Sequence, residues 1–471
     1  MKKQKLLTII TIFILLFSPD LVFGQENGEN PIYIVQSGEN LSSIAQKFGI
    51  DVNDLIAVNN IVDLNLISAG SELIIPGLEG ISGVLTVTPI RLGETIPVIL
   101  KKYQISNENL LLLNKITSPA EAFVGTNLVL PVSTVDEQQE NDFLTTFNES
   151  SSILFESIVN STNHWSLSLA NKPDDRFINL PHTPITVKSD DSQAIGSIFS
   201  PYIQDIVLTP LPFSQGHTLS VKVYLNNPAD LNAVLDGHAL TFYPDDSDKM
   251  LYALDSVHAL REPGLANLTV SGIFDNGDSF QIDQMVLIES GGYVQETLTV
   301  ESTLIDEDLN IQESIKVQDI LANTNTEKYW QGFFRYPVDG SLVDETIGFS
   351  SYFGNRRTYN AGEYFGFHGG LDFFILLNTF NTYAVAPGVV VFAGPMDIRG
   401  NTIFIDHGQG VFSGYAHLNE IQVEEGQYVN QGDLIGQIGK TGRVTGPHLH
   451  WDIWVNGNQV DPFDWIYNQY P

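Results

Sequence analysis

At 471 residues the chain has room for about three or four domains of ordinary size. It contains no cysteine, which excludes disulfides, thiol catalysis, cysteine-bound zinc and a lipid anchor on an N-terminal cysteine. A net charge of −34 argues against nucleic acid and against anionic membrane surfaces as partners.

Met1-Lys2-Lys3-Gln4-Lys5 is basic and opens an apolar run from Leu6 to Phe17, short of the roughly 20 residues a membrane span needs. Pro19 ends the run, and Val22-Phe23-Gly24 offers small residues to a signal peptidase. Residues 1–24 therefore read as a secretory signal, with no transmembrane segment expected once it is removed. An uncleaved anchor is the alternative, since Leu21-Val22-Phe23 prolongs the apolar character.

A repeat follows. Gly38-Glu39-Asn40-Leu41-Ser42-Ser43-Ile44 aligns with Gly93-Glu94-Thr95-Ile96-Pro97-Val98-Ile99, an offset of 55 (93 − 38). The alignment runs ungapped through Leu55/Leu110, Asn59/Asn114, Gly70/Gly125 and Pro76/Pro131. Each unit, 31–77 and 83–132, reads strand, helix, short helix, strand. Leu41, Ile44, Ala45 and Phe48 share one face of the first helix. This β-α-α-β unit resembles the LysM module. The resemblance implies a groove between the first helix and the second strand that binds N-acetylglucosamine-containing glycan such as peptidoglycan or chitin. The second copy departs from the pattern, with Pro97 early in its helix and Lys115 in place of Asn60. A folded spacer is the plainer reading of either copy.

Residues 133–149 are polar and acidic (Glu137-Gln138-Gln139-Glu140-Asn141-Asp142) and read as a linker. Within 150–300 the first part has no clear period. From Ile206 onward short alternating runs appear, such as Thr218-Leu219-Ser220-Val221-Lys222-Val223, with Asp275-Asn276-Gly277-Asp278 as a hairpin signal. An all-β, immunoglobulin-like sandwich is expected there, serving as spacer or binding module. His217, His238 and His258 lie in it singly, as solvated or satisfied histidines. Residues 301–332 read as a linker carrying a helix from Ile311 to Leu321.

The last region, 333–471, is a string of short strands and glycine turns, which predicts a compact antiparallel all-β domain. Five of the chain's 10 histidines fall in it. In the strand-forming run Pro447-His448-Leu449-His450-Trp451-Asp452-Ile453, alternation puts His448 and His450 on one face. Upstream stand His368-Gly369-Gly370-Leu371-Asp372 and Gly414-Tyr415-Ala416-His417. Imidazole and carboxylate are the ligands of catalytic zinc, which leaves a fourth position to water. Scattered core or surface histidines are the bland alternative, which four histidines and an aspartate with this local chemistry disfavour.

The motifs His368-x-x-x-Asp372 and His448-x-His450, with Ser350 to Arg357 and Ile405-Asp406-His407-Gly408 as flanks, resemble the lysostaphin-type (LytM-type) zinc metallopeptidases. The resemblance implies one zinc per chain on His368, Asp372 and His450, with His417 and His448 acting on the water or the oxyanion. It implies cleavage of stem or cross-bridge peptide in peptidoglycan. His407 is given a structural role. Tyr415, two residues before His417, would share its face in a strand and is a weak substrate-contact candidate, as are Asn355 and Arg356. The turn before Tyr383 holds Phe380-Asn381-Thr382 where many members have glycine, and Asn381 is expected to take the left-handed conformation there. The expected protein is a secreted zinc endopeptidase, cell-wall associated, or periplasmic in a cell with an outer membrane. The alternatives are a non-catalytic wall-binding or activator protein, and a zinc peptidase acting on an extracellular protein.

Overall fold

The computed structural model describes residues 30–63, 67–78, 80–116, 122–132, 142–146, 152–159, 162–171, 184–188, 202–245, 249–298, 307–340, 345–359, 362, 364–374 and 379–471. The expected signal, 1–24, lies outside them, and so does most of the acidic stretch at 133–149. The chain divides into two compact units, Met1–Thr86 with Leu130–Val135, and Val87–Val129 with Asp136–Pro471.

In the first unit β1 (Ile32–Ile34) is followed by α1 (Leu41–Phe48), α2 (Val52–Val58), β2 (Glu72–Ile74) and the start of β3 (Val84–Pro89). Strand β1 pairs antiparallel with β2 and parallel with Val84 and Leu85. Helix α1 forms because Asn40 and Ser43 cap each other's backbone N–H, and because Leu41, Ile44, Ala45 and Phe48 bury one face. The helix–strand packing is clipped by Asn59, whose side chain accepts from Ile74 N at 2.7 Å and donates to Ile74 O at 2.8 Å.

The second repeat opens the other unit, with α3 (Ile96–Lys102), α4 (Asn107–Asn114) and the start of β4 (Asn127–Val132). Asn114 clips Val129 as Asn59 clips Ile74. The repeated asparagine is thus structural in both copies. Lys115 has φ 52° where Asn60 has φ 51°, so the departure puts a side chain less suited to the left-handed region at the same turn.

Part of the expected linker is a strand. β5 (Asp142–Thr146) pairs antiparallel with β6 (Pro184–Lys188), and two short helices, α5 (Ile153–Val159) and α6 (His164–Ala170), lie between them in sequence. Leu167, Ile185 and Val187 form its small core. These elements are too short to leave a periodic signature.

The middle strands are β7 (Ile203–Thr209), β8 (Phe213–Ser214), β9 (Thr218–Leu225), β10 (Ala229–Leu235), β11 (His238–Leu240), β12 (Tyr243–Pro244), β13 (Met250–Ser256), β14 (Gly264–Phe274) and β15 (Ser279–Glu289). They form two sheets, β11-β10-β14-β15-β8 and β12-β13-β9-β7. The inward residues of both share one core, among them Val221 and Val223 from β9 and Leu268 and Val270 from β14.

After β16 (Gln295–Leu298) and α7 (Glu307–Leu321) come β17 (Gly348–Ser351), β18 (Arg356–Tyr359), β19 (Tyr364–Phe367), β20 (Leu371–Phe374), β21 (Asn381–Tyr383), β22 (Gly388–Met396), β23 (Gly400–Gly408), β24 (Val411–Ile421), β25 (Tyr428–Val429), β26 (Leu434–Ile438), β27 (Leu449–Val455), β28 (Asn458–Val460) and α8 (Phe463–Tyr467). The main sheet runs β17-β20-β27-β24-β23-β22-β25, antiparallel at every pairing described. Its larger core holds Leu371, Phe373, Leu449, Trp451 and Ile453. A second cluster packs Val317 and Leu321 of α7 against Phe404, Phe412 and Trp454.

Three expectations change here. Helix α7 is part of the last domain and not a linker, since the Glu313 carboxylate also accepts from Ile398 N and Arg399 N at 2.6 and 3.0 Å. The sandwich is no free spacer: Asp464 accepts from Thr218 N at 2.8 Å and pairs with His217 at 2.9 Å, and Trp465 Nε1 donates to Thr218 Oγ1. Asn381 lies in β21 opposite Gln437, so the turn is replaced there by a strand.

Candidate metal and catalytic site

Antiparallel register builds the site. Asp372 on β20 stands directly opposite His450 on β27, and Ala416 on β24 stands opposite His450 on the other side. His368 lies four residues before Asp372, where the chain passes so close to β27 that a Cβ on Gly370 would sit 2.3 Å from Trp451 O. Glycine at that point lets His368 fold back over Asp372. His368 is anchored by its N–H to Asn355 O at 2.9 Å and by Nδ1–H to Tyr352 O at 2.9 Å, leaving Nε2.

Three donor atoms then converge. Asp372 Oδ1 lies 3.0 Å from His368 Nε2 and 2.9 Å from His450 Nδ1, and the two nitrogens are 3.1 Å apart. One ion about 2.0–2.2 Å from each donor would hold two nitrogens and an oxygen at roughly these separations. The donor set therefore fits a metal.

His417 and His448 stand beside the triangle. Their ring centroids are 4.9 Å apart, and His417 is 6.2 Å from His450. His417 Nδ1–H donates to Thr441 O and His448 Nδ1–H to Gly446 O, each at 2.9 Å. His417 has φ 63°, a left-handed backbone that a bulky residue seldom adopts. The cause is a β-bulge: Asn401 faces Leu418 and Ile403 faces Tyr415, so one extra residue enters β24.

That bulge corrects the expectation for Tyr415. An inserted residue breaks the alternation, so Tyr415 and His417 do not share a face. Tyr415 is wholly buried in the main core, accepting from Val385 N at 3.0 Å, with Ser413 Oγ also 3.0 Å away. Arg356 is likewise spent elsewhere. It donates to Ala259 O of the sandwich and lies over the Tyr293 ring at 5.2 Å. The Asn355 side chain donates to Glu296 Oε1 at 2.7 Å, while its carbonyl holds His368. His407 is fully buried, with Nδ1 2.7 Å from Pro387 O and Nε2 2.7 Å from Ser413 Oγ.

One site residue was missed. Asp452, two residues beyond His450 on the same face, is fully buried, with Oδ2 3.4 Å from His450 Nε2. Arg399 Nη2 and Gln459 Nε2 donate to that oxygen at 2.7 and 2.9 Å. Strand alternation extended by one step past His450 would have found it. A carboxylate behind a ligand histidine fixes the ring and its tautomer.

The electrostatics follow from burial and these pairs. Burial pushes His368 down, only partly offset by Asp372. Burial would lower His450 too, but Asp372 and Asp452 outweigh it and raise the ring. Burial would raise Asp372, but His368 and His450 hold it well below the usual carboxylate range. Burial, with His450 and His448 adding to it, pushes His417 down to about 3.

Comparison with known proteins agrees with this geometry. Residues 366–462 match Peptidase family M23, and residues 33–76 and 90–131 match the LysM domain. The peptidoglycan DD-endopeptidase ShyA of Vibrio cholerae is 38% identical over 137 residues, 29% of this chain and 30% of that protein. ShyC of the same organism is 29% identical over 194 residues, 40% of this chain and 42% of that one. The DD-carboxypeptidase/endopeptidase Mpg of Neisseria meningitidis is 37% identical over 134 residues, 26% of this chain and 30% of that one. The chain thus spans less than half the length of each of these curated relatives. It carries a peptidase family M23 domain of the LytM type at its C-terminus and two LysM domains at its N-terminus.

Proposed function

We propose that the protein is an exported zinc metalloendopeptidase that docks on cell-wall glycan through LysM and hydrolyses peptide bonds of peptidoglycan. The observation that carries this reading is the triangle of His368 Nε2, Asp372 Oδ1 and His450 Nδ1, flanked by two imidazoles that are not part of it. In this reading one zinc per chain sits on those three atoms. When bound, it polarises the scissile carbonyl and lowers the pKa of a water molecule to about 7.

The remaining chemistry belongs to the protein. His417 and His448 each commit Nδ1–H to a carbonyl, which leaves Nε2 for the reaction; that of His448 lies 3.8 Å from Asp372 Oδ1. Between them they take a proton from the attacking water and deliver it to the leaving amine. Asp452 holds the His450 ring from behind, and Tyr352 O holds His368.

The proposed domain plan keeps 31–77 and 83–132 as LysM modules, 150–300 as the middle region and 333–471 as the peptidase, with 307–332 folded onto the last. An immunoglobulin-like class for the sandwich is supported by its strand order. With β7 to β15 lettered A, A′, B, C, C′, D, E, F and G, the sheets read D-E-B-A and C′-C-F-G-A′. Residues 1–24 act as the export signal, and the relatives' names favour wall peptide over other extracellular targets. Mass spectrometry of the fragments released from purified peptidoglycan is the test. Peptide fragments with newly freed termini are expected, and intact stem and cross-bridge peptides after exhaustive digestion with zinc-loaded protein would refute the assignment.

A further inference from the structure

The two LysM copies share a fold but not a surface. In the first copy the segment leading into its first helix exposes Ser37 and Gly38, and the segment leading into its second strand exposes Ala69 and Gly70. The ungapped offset maps these onto Leu92, Gly93, Val124 and Gly125. There the polar or small residues become Leu92 and Val124, which are 3% and 1% exposed and belong to the core of the middle sandwich.

The backbone agrees. Val124 takes a parallel bridge to Val286 on β15, donating to Met285 O at 3.2 Å and accepting from Leu287 N at 2.7 Å. Gly93 N–H donates to the Gln284 side chain. A Cβ on Gly70 would meet nothing within 4 Å, whereas one on Gly125 would lie 3.2 Å from Pro212 Cα. Both segments that border the groove between first helix and second strand are therefore used in the second copy to cap a strand edge and close a core.

We infer that the two repeats have divided their work: the second LysM module is an internal docking module fixed on the sandwich, and of the two modules only the first offers a glycan site. This rests on the glycan reading proposed above. The physical reason is that a surface already desolvated against β15 must be uncovered before a sugar can reach it, and uncovering Leu92 and Val124 exposes apolar area to water.

The test is hydrogen–deuterium exchange by mass spectrometry on the full chain, with an N-acetylglucosamine oligosaccharide as probe, alongside calorimetric titration. Exchange is expected to slow about twofold or more within residues 33–48 and 67–76 and to stay unchanged within 91–96 and 122–126. The calorimetric stoichiometry is expected to be one oligosaccharide per chain. Slowing in 91–96 or 122–126, or two oligosaccharides per chain, would overturn the division of work while leaving glycan binding in place. Slowing in neither module would overturn the glycan reading itself and the division with it. Gln284→Ala, which removes the partner of Gly93 N–H, is expected to speed exchange within 91–96 and leave affinity for the oligosaccharide unchanged. Unaltered exchange there would count against the docking contact.

Discussion

His407 and His417 lie on neighbouring strands of one sheet, and both are buried enough to stay neutral, held near 4 and 3. Their uses of that burial differ. His407 has both ring nitrogens spent, on Pro387 O and Ser413 Oγ, inside a buried chain that continues to Tyr415. His417 spends one nitrogen on Thr441 O and stands at a left-handed bulge that turns it toward His448 and His450. Being buried or perturbed does not mark a histidine as functional. What marks it is a nitrogen left over after the fold has taken its share.

The strongest test of that contrast removes a donor from the triangle. His450→Ala should lose metal and activity together, because only His368 and Asp372 remain, a poor zinc site. Full zinc occupancy in the variant, measured by elemental analysis, would show the ligands to be misassigned. His417→Ala should keep the metal and lose about 10²–10⁴-fold in rate, the range for removing a positioned acid or base. A variant that keeps the wild-type rate with metal bound would leave His417 no part in proton transfer.

Asp452→Asn probes the carboxylate behind His450. Metal affinity should fall about 10–100-fold by chelator competition, the usual cost of losing such a partner. Near-UV circular dichroism must accompany it, since Arg399 would be left with a weaker partner for its buried charge. Unchanged affinity in a folded variant would reduce Asp452 to a packing residue.

His407 supplies the counterpart. Its folded pKa, near 4, lies below the ordinary value of 6.5, because burial disfavours the charged ring. Below 6.5 the unfolded chain takes up a proton that the native state refuses. Its contribution is therefore whole above pH 6.5 and drains away as pH falls toward 4, about 3 kcal/mol in all. Asp461 works in the opposite sense: burial raises it to about 6, so the native state keeps a proton that the unfolded chain loses as pH rises from 3.8. Denaturant titrations of wild type and His407→Gln isolate the histidine through their difference, which should shift by about 3 kcal/mol in favour of wild type as pH rises from 4 to 6.5. Parallel profiles would mean that His407 is not buried neutral. Tyr415→Phe should cost stability alone, about 1–3 kcal/mol because the buried Val385 N–H loses its acceptor, with no change in rate on a soluble peptide. A changed KM would return Tyr415 to the substrate surface.

Much could be read from residues alone because local periodicity carries it. The duplicated Gly-Glu motif, the apolar stripe of α1 and the His448-x-His450 pair that leads into β27 are patterns of neighbours in the chain, and the pairing of Asp372 with His450 brings the second of these histidines to the carboxylate. Other features depend on residues far apart in sequence. A single-residue bulge in β24 reverses the side on which Tyr415 falls, and no local pattern announces a bulge. Arg356 and α7 read as flank and linker until the sandwich and the main sheet supply Ala259 O, Ile398 N and Arg399 N as their partners. The substitutions at Leu92 and Val124 read as ordinary drift between repeats until β15 is seen to cover them. Sequence by itself determined that His368, Asp372 and His450 belong to one cluster, because strand alternation is set by the backbone. Tertiary structure decided which of their polar atoms remain unspent, because that depends on every hydrogen bond the rest of the fold has already made.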